Sequence, residues 1–164
     1  FELERFMAQV YEENGRCEAA EVAALCLANL YNSGGHRKIT PDEYETIKKY
    51  LQKFPESMHI RAAFIIASEA IYSPSAEYKR VPDKIINKAK QWSEQYPKKI
   101  EFQEAYFGLL FSRLKYAQAQ DMRNEQRRVY REMKTVAERA NYSEYNESNQ
   151  LMESVDILHR VFGY

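Results

Sequence analysis

The chain is 164 residues long, enough for one domain with a sizeable core or a short stack of repeats. Hydrophobic residues make up 45%, which excludes a disordered chain, and no apolar run approaches the roughly 20 residues of a membrane-spanning helix. Lys and Arg total 24, and so do Asp and Glu, so no whole-molecule attraction to nucleic acid or to an anionic membrane is indicated.

Residues 1–13 place Leu3, Phe6, Met7, Val10 and Tyr11 at helical spacing, and Asn14-Gly15 is a stop. Phe1 opens directly onto this pattern with no signal-peptide architecture, so the chain is expected to be an excised piece of a larger protein or a processed product. Residues 16–32 read as an alanine-rich helix with Ala20, Ala24, Leu27 and Tyr31 on one side, ended by Ser33-Gly34-Gly35. Thr40-Pro41-Asp42-Glu43 is a helix start: Thr40 caps, Pro41 suits the first turn and Glu43 completes a capping box. That helix runs to Phe54, before Pro55, with Glu45 and Lys49 as an i,i+4 pair on its wet side.

The next helix, about 57–72, carries Ile60, Ala63, Phe64, Ala67 and Ile71 as its stripe; helical period on both flanks overrides the strand-like run Phe64-Ile65-Ile66. After a loop to Val81, a helix over 82–96 repeats the one before Pro55. A helix over 99–118 carries Phe102, Ala105, Tyr106, Leu109, Leu110, Leu114 and Ala117. Another over 123–140 carries Val129, Met133, Val136, Ala137 and Ala140. The last, over 143–162, runs through Leu151, Met152, Val155, Leu158 and Phe162. The expectation is all-α, eight helices, in a single helical-repeat domain over 1–164.

Two stretches echo each other. Tyr50-Leu51-Gln52-Lys53-Phe54-Pro55 recurs as Trp92-Ser93-Glu94-Gln95-Tyr96-Pro97, and Pro41-Asp42 recurs as Pro82-Asp83. An offset of this size between helical stretches points to a solenoid whose units bury their faces on one another. Ala63-Phe64, Ala67-Ser68 and Ile71, and again Ala105-Tyr106, Leu109 and Leu114, resemble the first helix of a tetratricopeptide repeat. The helices ending at Phe54-Pro55 and Tyr96-Pro97 resemble its second helix. The unit, from Pro55 to Pro97, is longer than the family's, and Tyr50 and Trp92 stand where the family places a small residue.

The resemblance implies a right-handed superhelix of antiparallel helix pairs with the first helix of each pair on the concave face. It thereby implies a groove lined by Ile65, Glu69 and Tyr72 from one unit and Phe107, Phe111 and Lys115 from the next. Phe107 and Phe111 are i,i+4 neighbours away from the main stripe, and a second apolar face needs a partner, either another helix or a ligand.

Chemistry-bearing motifs are sparse. His36, His59 and His159 are isolated, no His-x3-His or Cys-x2-Cys pair occurs, and neither a P-loop nor Gly-x-Gly-x-x-Gly is present. Cys17 and Cys26 lie nine apart on one helix, about 13.5 Å of rise and too far for a disulfide. Cys26 reads as core; Cys17, near a helix start, is placed where a thiol pKa is lowered, with no partner base in view. Thiols without a disulfide framework fit a reducing, cytoplasmic setting.

Arg123, Arg127, Arg131 and Lys134 share a helical face, but Glu125, Glu132 and Glu138 interleave with them, which is the pattern of a solvated mixed-charge helix. The sequence therefore predicts a non-enzymatic interaction module with a protein or peptide partner. No catalytic residue, cofactor or metal is implied, and nucleic acid and membrane are not indicated. The alternatives are a structural segment packed within its parent chain and a nucleic-acid binder using the Arg127/Arg131 face.

Overall fold

A computed structural model describes residues 16–29, 39–73, 79–142 and 150–164. Among the described residues there are seven α-helices and no strand: α1 (Cys17–Asn29), α2 (Pro41–Lys53), α3 (Met58–Tyr72), α4 (Asp83–Gln95), α5 (Ile100–Ala119), α6 (Arg123–Ala140) and α7 (Gln150–Phe162). The helix expected over 1–13, the Ser33-Gly34-Gly35 stop and His36 lie outside the described residues, as do residues 143–149 at the expected start of the last helix. The chain divides into two compact units, Phe1–Ile71 and Tyr72–Tyr164.

In the first unit, α2 begins as its sequence dictates. The Thr40 hydroxyl accepts from the Glu43 amide at 3.2 Å, and the Glu43 carboxylate accepts from the Thr40 amide at 2.8 Å. This capping box satisfies two donors that the helix itself leaves unpaired. Thr40→Ala should therefore lower the stability of this unit by about 1 kcal/mol, with Thr40→Ser near wild type, as read from urea denaturation. The ion pair on the exposed side of α2 is Glu45–Lys48, at 2.6 Å, in place of the expected Glu45–Lys49. The i+3 position brings the Lys48 ammonium over the Tyr44 ring, 4.7 Å from its centroid, so one cation meets both a carboxylate and a π-face.

α2 and α3 fold back on each other through the turn at 54–57. The Tyr44 and Phe64 rings stack at 5.8 Å, and the Tyr44 hydroxyl meets Ser68 Oγ at 2.8 Å. The first turn of α2 reaches the second half of α3 in this way only if the two helices run antiparallel. Ser57 links the start of α3 to α1: its hydroxyl donates to Glu21 at 2.6 Å and accepts from the Ile60 amide at 3.2 Å. On α1, Ala20 and Ala24 are fully buried. Cys26 is only half-buried, which corrects its expected core position: the helix turns Ala23, Ala24 and Ala28 inward and leaves Cys26 on the margin.

The second unit places α5 between α4 and α6. Phe102, Gln103, Tyr106, Phe107, Leu109, Leu110, Arg113 and Leu114 are all buried, so α5 is covered on almost every side. α4 and α6 each bury one stripe only: Ala89, Trp92 and Ser93 on α4, and Val129, Met133, Val136, Ala137 and Ala140 on α6. α5 and α6 join through a tight turn in which Asp121 takes a left-handed conformation (φ 50°) and the Met122 amide reaches back to the Ala117 carbonyl at 2.8 Å. α7 closes against α6, where Tyr164 lies 5.2 Å from the Tyr130 ring and hydrogen-bonds Gln118 and Gln126 at 2.8 and 2.9 Å.

The stretches that echo each other in the sequence share local features. α2 and α4 are both 13 residues long, and both end on an aromatic, Phe54 or Tyr96, whose amide donates at 2.8 Å to the carbonyl four residues back. The two capping residues have nearly the same backbone, φ −127°, ψ 64° and φ −119°, ψ 60°. The large residue four before each cap is buried, Tyr50 at 5% and Trp92 at 6% exposed.

Burial matches at the same offset in Ile39 and Val81, Ile60 and Phe102, Ala63 and Ala105, and Phe64 and Tyr106. It also matches in a polar pair, Arg61 and Gln103. Arg61 Nε donates to the Pro55 carbonyl at 2.7 Å. Gln103 Nε2 donates to the Ser93 and Tyr96 carbonyls at 3.0 and 3.2 Å. In both units one buried donor at the start of the second helix ties down the turn that precedes it.

Candidate functional site

The concave-face residues expected from the repeat pattern fall into two groups. Ile65 and Phe107 are buried, 1% and 6% exposed. Glu69, Tyr72, Phe111 and Lys115 are half-buried. Burial pushes the Glu69 carboxyl above its ordinary pKa. Phe111 and Lys115 are brought together: the Lys115 ammonium lies 5.3 Å from the Phe111 ring centroid and 5.6 Å from that of Phe162 on α7. This cation bridging two rings is a packing contact of the second unit.

The second unit carries a cleft of about 150 Å³. α4 contributes Ile86, Asn87 and Lys90; α5 contributes Tyr106, Leu110 and Arg113; α6 contributes Glu125, Arg128, Val129 and Glu132. On each helix these positions recur at three- and four-residue intervals, so each set occupies one face. The lining is mixed: Ile86, Leu110 and Val129 are apolar, and Lys90, Arg113, Glu125, Arg128 and Glu132 carry charge.

Arg113 organises one end of the cleft. It is 4% exposed. Its Nη1 donates to the Val81 carbonyl at 3.1 Å and pairs with Asp83, and its Nε donates to Glu125 at 3.0 Å. Glu125 also accepts from Arg128, Nη2 at 2.8 Å and Nε at 2.9 Å. The Arg113 guanidinium holds the Asp83 carboxyl below its ordinary pKa, and Arg128 with Arg113 does the same for Glu125. The Arg128 guanidinium is pushed up by its bond to Glu125.

At the middle of the cleft the Tyr106 hydroxyl donates to Glu132 at 3.1 Å, and Lys90 pairs with Glu132 at 3.4 Å. Burial, then the Glu132 charge, push the Tyr106 phenol far above its ordinary value. At the other end Arg139 bonds Ser93 and approaches Glu94 at 3.9 Å. Every ionised group of the cleft thus has a partner of opposite sign.

Sequence reasoning named Tyr106 and Leu110 as packing residues and missed the polar set around Arg113. Its signal was present: Phe102, Tyr106, Leu109, Arg113 and Ala117 follow at intervals of three and four, which puts the arginine in the buried stripe. Cys17 also differs from its expected state. Its thiol pKa is raised, by partial burial and by Glu21, whose carboxylate lies 3.8 Å away. Burial first, and then the Glu21 and Glu18 charges, set the thiol against the lowering expected at a helix start.

His59 and His159 are exposed on separate helices. No group of three or more His, Cys, Asp or Glu among the described residues is placed to hold a metal ion. No helix among them is long and apolar enough to cross a membrane. Comparison of the chain with protein-family models, with curated proteins and with solved structures found no match.

Proposed function

We propose that this chain is a protein-interaction module, an adaptor, scaffold or sensor segment that binds a peptide or protein segment in a groove between helices. The observation that carries this reading is the α4–α5–α6 cleft, lined by the apolar Ile86, Leu110 and Val129 together with charged residues of all three helices. Apolar lining supplies affinity through burial, and the charges beside it set register. The two helix hairpins, with their matching caps at Phe54 and Tyr96, support an α-solenoid similar to tetratricopeptide repeats. The protonation states of the cleft support binding without catalysis. A general acid or base works best with a pKa near the ambient pH, whereas Asp83 and Glu125 are displaced downward and Tyr106 upward. No cofactor enters the reading. Two half-buried cysteines, neither in a disulfide, support a reducing, cytoplasmic setting.

One observation favours a structural role in a parent chain as the second reading. Ile157, Val161 and Phe162 on α7 are 56%, 64% and 47% exposed, an apolar flank suited to packing against another part of the protein.

The test is selection of peptides from a random displayed library on the folded chain, followed by competition with Asn87→Trp. Asn87 is an exposed residue at the cleft, so the indole fills the opening while the fold stays within about 0.5 kcal/mol of wild type. Selected peptides should share one apolar position and lose at least about tenfold in affinity for the variant. Failure to select any peptide, or equal binding to both proteins, would refute the cleft as the peptide site.

A further inference from the structure

We infer that the outer face of α6, together with the cleft beside it, binds an acidic polypeptide segment that sets one apolar side chain into the cleft. This rests on the proposed peptide-binding function and names the chemistry of the partner.

The sequence of α6 alternates cations and acids, but the fold separates them. The side chains of Glu125 and Glu132 are only 16% and 27% exposed, because Arg113 and Tyr106 draw them toward α5. The charged residues that remain exposed on α6 are Arg123, Arg127, Arg128, Arg131 and Lys134, against Glu138 as the one exposed acid. Arg127, Arg131 and Lys134 follow at i, i+4 and i+7 and so share one face. No carboxylate among the described residues pairs with any of the three. Like charges at this spacing weaken a helix unless something neutralises them; Glu125 and Glu132 are committed inward, and Glu138, one turn beyond Lys134, is the one acid left exposed on this helix.

Arg128 joins this row to the cleft. Its side chain is 68% exposed and lies one turn from Arg131 on one side and from Glu125 on the other. Across the cleft Lys90 is 47% exposed, again more than the carboxylate it pairs with. Among the residues that line the cleft the most exposed charges are therefore the cations Arg128 and Lys90, while the exposed carboxylates Asp83 and Glu94 stand beyond its two ends.

The cleft sets the second half of the partner's chemistry. Its roughly 150 Å³ matches a cavity that accommodates a benzene-sized group, and it is well below the volume of a pocket for a whole cofactor. It fits one side chain entering from a backbone laid across α4 and α6. A nucleic acid would need free ring faces beside the cationic row. Tyr130, the ring on that flank, lies against Tyr164 at 5.2 Å.

The test is fluorescence anisotropy with three probes: a Glu/Asp-rich peptide carrying a single central Phe, the same peptide with Gln and Asn for its acids, and an oligouridine of matching charge. Each is titrated with wild type, with Arg127→Gln/Arg131→Gln/Lys134→Gln, and with Asn87→Trp, all at exposed positions, with folding confirmed by circular dichroism. The acidic peptide should bind wild type at least about tenfold tighter than the neutral one, weaken at least about tenfold in each variant, and weaken as salt is raised.

Equal binding of the neutral peptide, unchanged in the triple variant, would overturn the acidic partner while leaving the cleft as a peptide site. Tighter binding of oligouridine, lost in the triple variant but kept in Asn87→Trp, would overturn it in favour of nucleic acid. No binding of the acidic peptide up to about 1 mM would also overturn it, whereas the proposed function stands or falls on the peptide selection.

Discussion

Arg113→Met should destabilise the second unit by about 2–3 kcal/mol, a fall of roughly 10–20 °C in its melting temperature. Methionine keeps most of the apolar stem and removes the guanidinium, which is the partner of the Val81 carbonyl, Asp83 and Glu125 at once. Stripping one member from a fully buried pair costs about 3–5 kcal/mol. The expected loss is smaller here because the carboxylates are not stranded. Asp83 is 60% exposed and keeps Arg80 at 3.1 Å, and Glu125 keeps Arg128. The Val81 carbonyl loses its guanidinium donor, and a buried acceptor orphaned in this way accounts for about 1–3 kcal/mol of the loss.

Melts across pH give the same variant a second readout. Asp83 and Glu125 have folded pKa values below their ordinary ones, so the stability they contribute is full above the usual carboxylate range near 4. It is lost as pH falls through the depressed folded values. Wild type should therefore lose stability steeply on acidification below about pH 4, and Arg113→Met should show a shallower slope. Equal slopes would mean that these carboxylates owe their ionisation to something other than Arg113.

Much of this fold was legible in the sequence, for physical reasons that differ by element. Thr40-Pro41-Asp42-Glu43 fixed the start of α2 because a capping box is a purely local device. The doubled aromatic–proline pattern marked two helix ends whose caps share nearly the same backbone angles, again a local property. The second apolar face of α5, seen in Phe107 and Phe111, correctly signalled an element needing partners on more than one side; Phe107 is buried and Phe111 meets Lys115.

Illegible were the choices that depend on which neighbour arrives. Lys48 and Lys49 are equivalent as partners for Glu45 until the Tyr44 ring takes a position beside one of them. Glu125 and Glu132 look like solvated surface acids until Arg113 and Tyr106 approach from α5. The division of charge on α6 is thus a tertiary property, and periodicity within one helix cannot reveal it.

The polar pair Arg61 and Gln103 allows the repeat to be tested by exchange. Gln103 is fully buried; it accepts from the Ser93 hydroxyl at 2.8 Å and donates to two backbone carbonyls at the end of α4. Gln103→Leu keeps the volume and removes all three bonds. The Tyr96 carbonyl still accepts from the Lys99 amide at 3.1 Å, and the Ser93 hydroxyl still meets Arg139, so the Ser93 carbonyl bears most of the loss. The expected cost is about 2–3 kcal/mol, read from urea denaturation.

Gln103→Arg introduces the residue that serves the same turn in the first unit, yet it should also destabilise. Arg61 is neutralised by Glu56 at 2.9 Å, and the position that answers to Glu56 in the second unit, next after Pro97, is Lys98. A guanidinium at 103 would be buried next to a like charge instead of a carboxylate. Adding Lys98→Glu should then recover up to about 1 kcal/mol, as expected for an exposed partner, and should recover nothing in the Gln103→Leu background. Recovery only with arginine present would establish that the two hairpins share one solution to closing their turns, with the donor and its counter-charge exchanged as a set.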